Sequence, residues 1–258
     1  MILEGKNAII TGSRTGIGFA TLQRFASEGA NIWAIIHRVD EIFLSEIKTI
    51  EEKNNVWIKP VYIDLSEEQS INQGLRGIFS ERKNIDILVN AAGIVSPNCL
   101  IQMTPIKVMR SVFDVNFFAP IQMMQLVSRI MMRQKKGSIV NVASIAGIDS
   151  DMAQLEYAAS KAALISATSR FAYELGDYGI RVNAVAPGMT NTKMLGEMDD
   201  GVTMSYMQHK TMRRKAEPSE IADVCLFLAS EMSSYVNAQT IKVDGGGVNF
   251  VSTFNRNK

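Results

Sequence analysis

Tyr157 and Lys161 stand four residues apart, thirteen residues beyond Ser144, in a chain that opens with Thr11-Gly12-Ser13-Arg14-Thr15-Gly16-Ile17-Gly18. The four-residue step places a phenol and an ammonium on one helical face, about one turn apart. A phenol with a reference pKa near ~10 exchanges protons poorly at neutral pH. A neighbouring cation favours the phenolate and lowers that pKa. The glycine-rich turn upstream points to a dinucleotide as the third party, and so to hydride transfer.

Those groups need a frame. Gly12, Gly16 and Gly18 follow an apolar run at 7–11 and open a helical stretch at about 16–28, which Gly29 is placed to stop. Glycine there lets the turn form and the backbone approach a pyrophosphate, which the helix N-terminus then favours. Further strand-like runs fall at 31–36, 56–63, 85–90, 137–143, 180–186 and 240–243. Helical stretches fall between them, at 41–54, from Ser66 as cap, at about 104–135 with an interruption at Pro120, and at 157–175. This alternation predicts an α/β fold, a parallel sheet with helices on both faces. No linker or repeat interrupts 1–258, so one domain is expected. The long stretch 189–215, rich in methionine, reads either as a substrate lid or as two amphipathic helices over the core.

With 258 residues, 47% of them hydrophobic, the chain can bury a sizeable core. A net charge of +1, from 27 basic and 26 acidic residues, gives no case for nucleic acid or an anionic membrane. Cys99 and Cys225 make neither a disulfide framework nor a metal site, and both read as buried inert thiols. No apolar run approaches the ~18 residues that span a bilayer. A cytoplasmic protein is the default expectation.

The glycine turn, Asn90-Ala91-Ala92-Gly93, Asn116, Ser144, Tyr157-x-x-x-Lys161 and Pro187-Gly188 together resemble the short-chain dehydrogenases/reductases, from Gly5 to about Gly246. Within that family the chain is most similar to the 3-oxoacyl-[acyl-carrier-protein] reductases of fatty acid biosynthesis. The resemblance implies a Rossmann-type, doubly wound, seven-stranded parallel sheet. It implies cofactor contacts from the Gly12–Gly18 turn with Ile17, from Asp64 and Leu65 at the adenine, and from Asn90, Ala91 and Gly93 at the ribose. Pro187, Gly188, Thr190 and Thr192 fall at the nicotinamide end. One departure is Ala91, where the family more often has asparagine.

An NAD enzyme wants a carboxylate at the end of the second strand. This chain has Ile36-His37-Arg38, with Asp40 past reach, and Arg14 in the glycine turn. Guanidinium groups suit a 2′-phosphate, so Arg38 and Arg14, with Ser13 and His37 as weaker candidates, favour NADP over NAD.

In the reducing direction, Ser144 would steady the substrate carbonyl and Tyr157 would protonate it. Lys161 would lower the Tyr157 pKa and, by resemblance, contact the nicotinamide ribose, while Asn116 would hold a water for proton resupply. Each residue also has an ordinary reading: a core tyrosine, a surface cation, a turn cap, a helix irregularity. His209 reads as loop decoration.

The expected substrate is a 3-oxoacyl thioester, with Arg129, Arg133, Lys135 and Lys136 at the site mouth for an acidic carrier. Tyr178, where resemblance asks for a second basic residue, weakens that reading. The alternatives are a ketone or nucleotide-linked keto-sugar reductase, and a cofactor-binding module without catalysis. Small residues along 158–172 fit helix pairing, and the resemblance implies a homotetramer. Phe250 and Phe254, in the 248–258 tail, are candidates for packing on a neighbour.

Overall fold

The computed structural model describes residues 1–96, 99–149, 154–193 and 210–246. His209, the stretch from Met194 and the 248–258 tail lie outside the described residues.

Seven strands form one parallel sheet: β1 Asn7–Thr11, β2 Asn31–Ile36, β3 Ile58–Tyr62, β4 Ile87–Asn90, β5 Gly137–Val142, β6 Ile180–Pro187 and β7 Thr240–Val243. Their order is β3-β2-β1-β4-β5-β6-β7. The order reverses between β1 and β4, and such a switch opens a crevice at the carboxyl ends of the strands. Pro60, which cannot donate to a ladder, sits on edge strand β3.

The strands are near-continuous apolar runs because helices cover both faces. Alternate residues of β1 point opposite ways. Ala8 and Ile10 pack with Leu22 and Phe25 of α1 (Gly16–Ser27), Phe43 and Ile47 of α2 (Glu41–Asn54) and Ile221 of α7 (Pro218–Ala229). Ile9 packs on the other side with Ile71 and Leu75 of α3 (Glu68–Ser80), Met123 and Val127 of α5 (Ala119–Gln134) and Leu164 of α6 (Leu155–Leu175).

Three expectations are corrected. The helix foreseen over 104–135 is broken into α4 (Ile106–Phe113), a π-helical turn at Asp114–Phe118, and α5. The break precedes Pro120: the Ala119 amide donates to the Asp114 carbonyl, a five-residue step. Pro120 has no N–H to aim at the Asn116 carbonyl, which disfavours the α-helical pattern there. Ser66 does not cap α3, whose N-cap is Glu67; its hydroxyl and amide both donate to Asp64. Cys225 is buried, its thiol pushed up to about 12 by burial, but Cys99 is partly exposed.

Candidate active site

Helix α6 carries Tyr157 and Lys161, and its position over the sheet depends on a close approach. The short 3₁₀ turn Ile145–Gly147 after β5 lies flat on α6, where a Cβ on Gly147 would stand 2.6 Å from the Ala162 nitrogen. That contact brings Ser144 beside Tyr157, where its hydroxyl acts to lower the phenol's pKa. Ser144 also accepts from the Ala146 amide at 3.1 Å, which fixes its rotamer.

Lys161 is buried, and its ammonium donates to the Val142 carbonyl at 2.9 Å. It lies 5.8 Å from the centre of the Tyr157 ring. Burial lowers its pKa to about 8. Tyr157 departs from expectation: burial pushes the phenol up, and the hydrogen bond with Ser144, not Lys161, opposes the rise. The phenol therefore keeps its proton at neutral pH, which suits an acid in the reducing direction.

Asn116 is fully buried inside the π turn. Its Oδ1 accepts from the Ile94 amide at 2.8 Å, and its Nδ2 donates to the Ile94 carbonyl at 2.9 Å and the Ser160 hydroxyl at 3.2 Å. The side chain is thus committed to the loop after β4 and to Ser160. Gly93 sits at the convergence, where a Cβ would meet Asn116 Oδ1 at 3.3 Å and Lys161 Nζ at 3.4 Å. All four expected catalytic side chains and Gly93 share the carboxyl end of the sheet.

The glycine turn lies beside them. Gly12 has a φ of +70°, and a Cβ there would strike the Ala92 backbone at 2.8 Å. Gly18 is tighter still, 2.2 Å from the Gly12 carbonyl oxygen to its would-be Cβ. Thr15, the N-cap of α1, makes no side-chain cap bond, so the helix start has no side chain over its amides. Thr192 lies over Gly16, bringing the segment after β6 to this turn. Thr190 is buried, its hydroxyl donating to the Gly188 carbonyl, and Gly188 is held by a 2.9 Å bond to Val243. The Thr11 hydroxyl accepts from the amides of both Ala91 and Ala92, so alanine at 91 leaves the backbone bonds intact.

A dinucleotide fits these residues. Asn90 donates to Asn141 at 2.8 Å, yet its own Oδ1 is buried without a partner at the end of β4. The fit rests on the cradle that Cβ atoms at Gly12 and Gly18 would fill, under a helix start with no side-chain cap, which suits a pyrophosphate. The outer corner is less simple. Arg14 donates to Asp40 at 2.7 Å, and Asp40 also caps α2 through the Phe43 amide. Asp40 is therefore within the corner after all, its carboxyl lowered first by Arg14. Arg38 and His37 are exposed, and His37 lies 3.9 Å from Asp64. Leu65 is partly buried against the core. Ser13 turns inward: it is fully buried and donates to the Ile10 carbonyl, so its hydroxyl does not face the corner.

The basic residues expected at the mouth are elsewhere. Arg129, Arg133, Lys135 and Lys136 lead into Gly137, the first residue of β5, at the opposite end of that strand from Ser144. Lys136 pairs there with Glu231. The reason is topological: a helix before a parallel strand must end at that strand's start. Four other site residues went unread in the sequence: Ser96, Gly147, Glu156 and Ser160. Ser160 alone left a signal, three residues past Tyr157 on the same helix.

Residues 12–247 match the family model described as enoyl-(acyl carrier protein) reductase. The chain belongs to the short-chain dehydrogenase/reductase family and is an NAD(P)-dependent oxidoreductase of it. It is 37% identical to the 3-oxoacyl-[acyl-carrier-protein] reductase FabG of Thermotoga maritima, over 95% of this chain and 99% of that one. It superposes on levodione reductase with a TM-score of 0.89 at 29% identity, covering 94% and 97% of the two chains. L-sorbose reductase from Gluconobacter frateurii, complexed with NADPH and L-sorbose, gives 0.88 at 28% identity, covering 97% and 100%. No described helix is long and apolar enough to cross a membrane, and no metal-binding cluster occurs among the described residues.

Proposed function

We propose that this protein reduces a keto group to a hydroxyl with NADPH, and that its substrate is a 3-oxoacyl thioester. The observation that carries the reading is the Ser144–Tyr157 hydroxyl pair beside the buried Lys161, at the carboxyl end of a sheet whose first turn fits a dinucleotide. The similarity to the Thermotoga maritima reductase supports the substrate class.

The bound nicotinamide supplies the hydride. The substrate oxygen docks between Ser144, which donates a hydrogen bond, and Tyr157, which gives up its proton as the new C–H bond forms. Lys161, held on the Val142 carbonyl, contacts the nicotinamide ribose and relays a proton back to Tyr157. The Asn116 main-chain carbonyl holds the water from which that proton comes. Gly12 to Gly18 hold the pyrophosphate, Asn90 the adenosine ribose, Asp64 and Leu65 the adenine, Thr190 and Thr192 the carboxamide end. Arg38, with Arg14, takes the 2′-phosphate. Residues 189–215 form the substrate lid. The exposed Ile106 and Phe118 support pairing into a homotetramer.

A second reading, reduction of a small hydroxylated ketone, is favoured by the position of Arg129, Arg133, Lys135 and Lys136 before β5, away from Ser144 at its other end. The test is NADPH absorbance decay with acetoacetyl thioesters and a ketone panel, repeated with NADH. Cofactor binding without turnover on any of them overturns the reductase reading in favour of a non-catalytic module.

A further inference from the structure

Glu156, the residue before Tyr157, is 2% exposed and has no part in the chemistry above. Its Oε1 accepts from the Ser96 hydroxyl. Its Oε2 is buried and has no hydrogen-bond partner. A carboxylate offers about four acceptor positions, and one left bare in the interior costs roughly 1–3 kcal/mol or more. A native protein seldom carries such an atom without a water, ion or ligand to meet it.

Its place narrows the choice. Glu156 lies in the first turn of α6, where the helix amides favour negative charge. Successive helical residues are about 100° apart, so Glu156 and Ser160 form a stripe next to that of Tyr157 and Lys161. That stripe faces the loop after β4: Ser160 meets Asn116, Asn116 holds Ile94, and Glu156 meets Ser96. Ser96 is three residues beyond Gly93, which abuts Lys161 Nζ. The bare oxygen thus belongs to the wall between the proton donor and the loop flanking the site. Gln154, two residues earlier, turns the chain into α6 with a left-handed φ of 51°, an uncommon conformation for a side-chain-bearing residue.

We propose that Glu156 is a specificity-determining residue whose Oε2 accepts a hydrogen bond from an O–H or N–H group of the substrate, a few atoms from its keto carbon. The proposal rests on the ketone-reductase reading and deepens it. Two kinds of donor are on offer: the amide N–H of a pantetheine-type thioester arm, six bonds from the keto carbon on a flexible chain, and the hydroxyl of a short hydroxyketone, two bonds from it. A bare alkyl ketone brings neither and leaves the carboxylate unmet.

The experiment uses two matched pairs with NADPH: acetoacetyl-N-acetylcysteamine against S-butyl acetothioacetate, and hydroxyacetone against 2-butanone. The wild type should show, in one of the two pairs, a KM for the donor-bearing member lower by about 10- to 100-fold, with similar kcat, the range for a hydrogen bond to a charged group. Glu156→Met, similar in length but without a strong acceptor, should erase that difference while binding NADPH as before by fluorescence. Glu156→Gln, which can turn its carbonyl outward, should restore part of it. An unchanged ratio in an NADPH-binding Glu156→Met, or an equal loss on both members, overturns the proposal and leaves the carboxylate with a resident water only. A wild type with equal KM values within each pair overturns it even where Glu156→Met does not fold. A wild type inert to all four compounds overturns the reductase reading itself, a different result from activity without preference.

Discussion

Gly147 lies so close to α6 that a methyl group added to it would stand 2.6 Å from the Ala162 nitrogen and 2.7 Å from the Lys161 carbonyl carbon. Both obstacles are backbone, so neither can swing away. Gly147→Ala should cost roughly 1–3 kcal/mol of stability, as overpacking does. It should also part Ser144 from Tyr157, lowering kcat more than it raises the KM for NADPH. Thermal unfolding with steady-state kinetics checks both, and an unchanged kcat would show that the close contact does not set the hydroxyl pair.

Tyr157→Phe should leave NADPH binding intact and lower kcat by about 10²- to 10⁴-fold, the usual worth of a positioned proton donor. Turnover equal to the wild type would remove the phenol from the mechanism.

Lys161 makes stability depend on pH with a definite sign. Its folded pKa, about 8, lies below the ordinary 10.5. Between those values the unfolded chain binds more protons than the folded one, so stability rises with pH across that window. Below it, the buried ammonium costs on the order of 3 kcal/mol. Lys161→Met should lack that rise while losing turnover. Urea unfolding of both proteins at pH 7 and pH 10 measures the difference; parallel responses would contradict it.

Asp40 neutralises Arg14 at the outer corner while capping α2. Asp40→Ser keeps a cap and frees the guanidinium. NADPH should then bind about 5-fold more tightly, the modest gain of releasing one exposed charge pair, and NADH should not. Arg38→Ala should act in reverse. Fluorescence titration with both cofactors decides, and a matched change for NADH would place the pair outside the phosphate corner.

Thiol labelling of the native protein should reach Cys99 alone, because burial holds the Cys225 thiol near 12. Two equivalents should react after denaturation. Rapid native labelling of both would mean that α7 opens readily.

What the sequence made legible follows from how local the signals are. β1 and β2 announce themselves at 7–11 and 31–36 because strands buried on both faces are unbroken apolar runs. Tyr157 and Lys161 are one helical turn apart and need no tertiary information to be paired. Where local pattern ended, the reading erred. Nothing near Asn116 marks the π turn except Pro120, whose effect falls upstream of it. The Arg14–Asp40 pair joins two loops 26 residues apart in sequence, and the Ser96–Glu156 bond two segments 60 apart. The cations at 129–136 fall away from the site because strand direction, invisible to charge patterning, decides which end of the strands they reach.

The π turn at Asp114–Phe118 also works as a phase setter. One surplus residue is looped out there, and everything after it is rotated by about 100° relative to an unbroken helix. Deleting a residue from that turn would straighten the rod and swing Met123, Val127 and Met131 off the sheet. The irregularity that seats Asn116 in the site is thus the same one that keeps α5 in step with the interior, so neither can be edited alone.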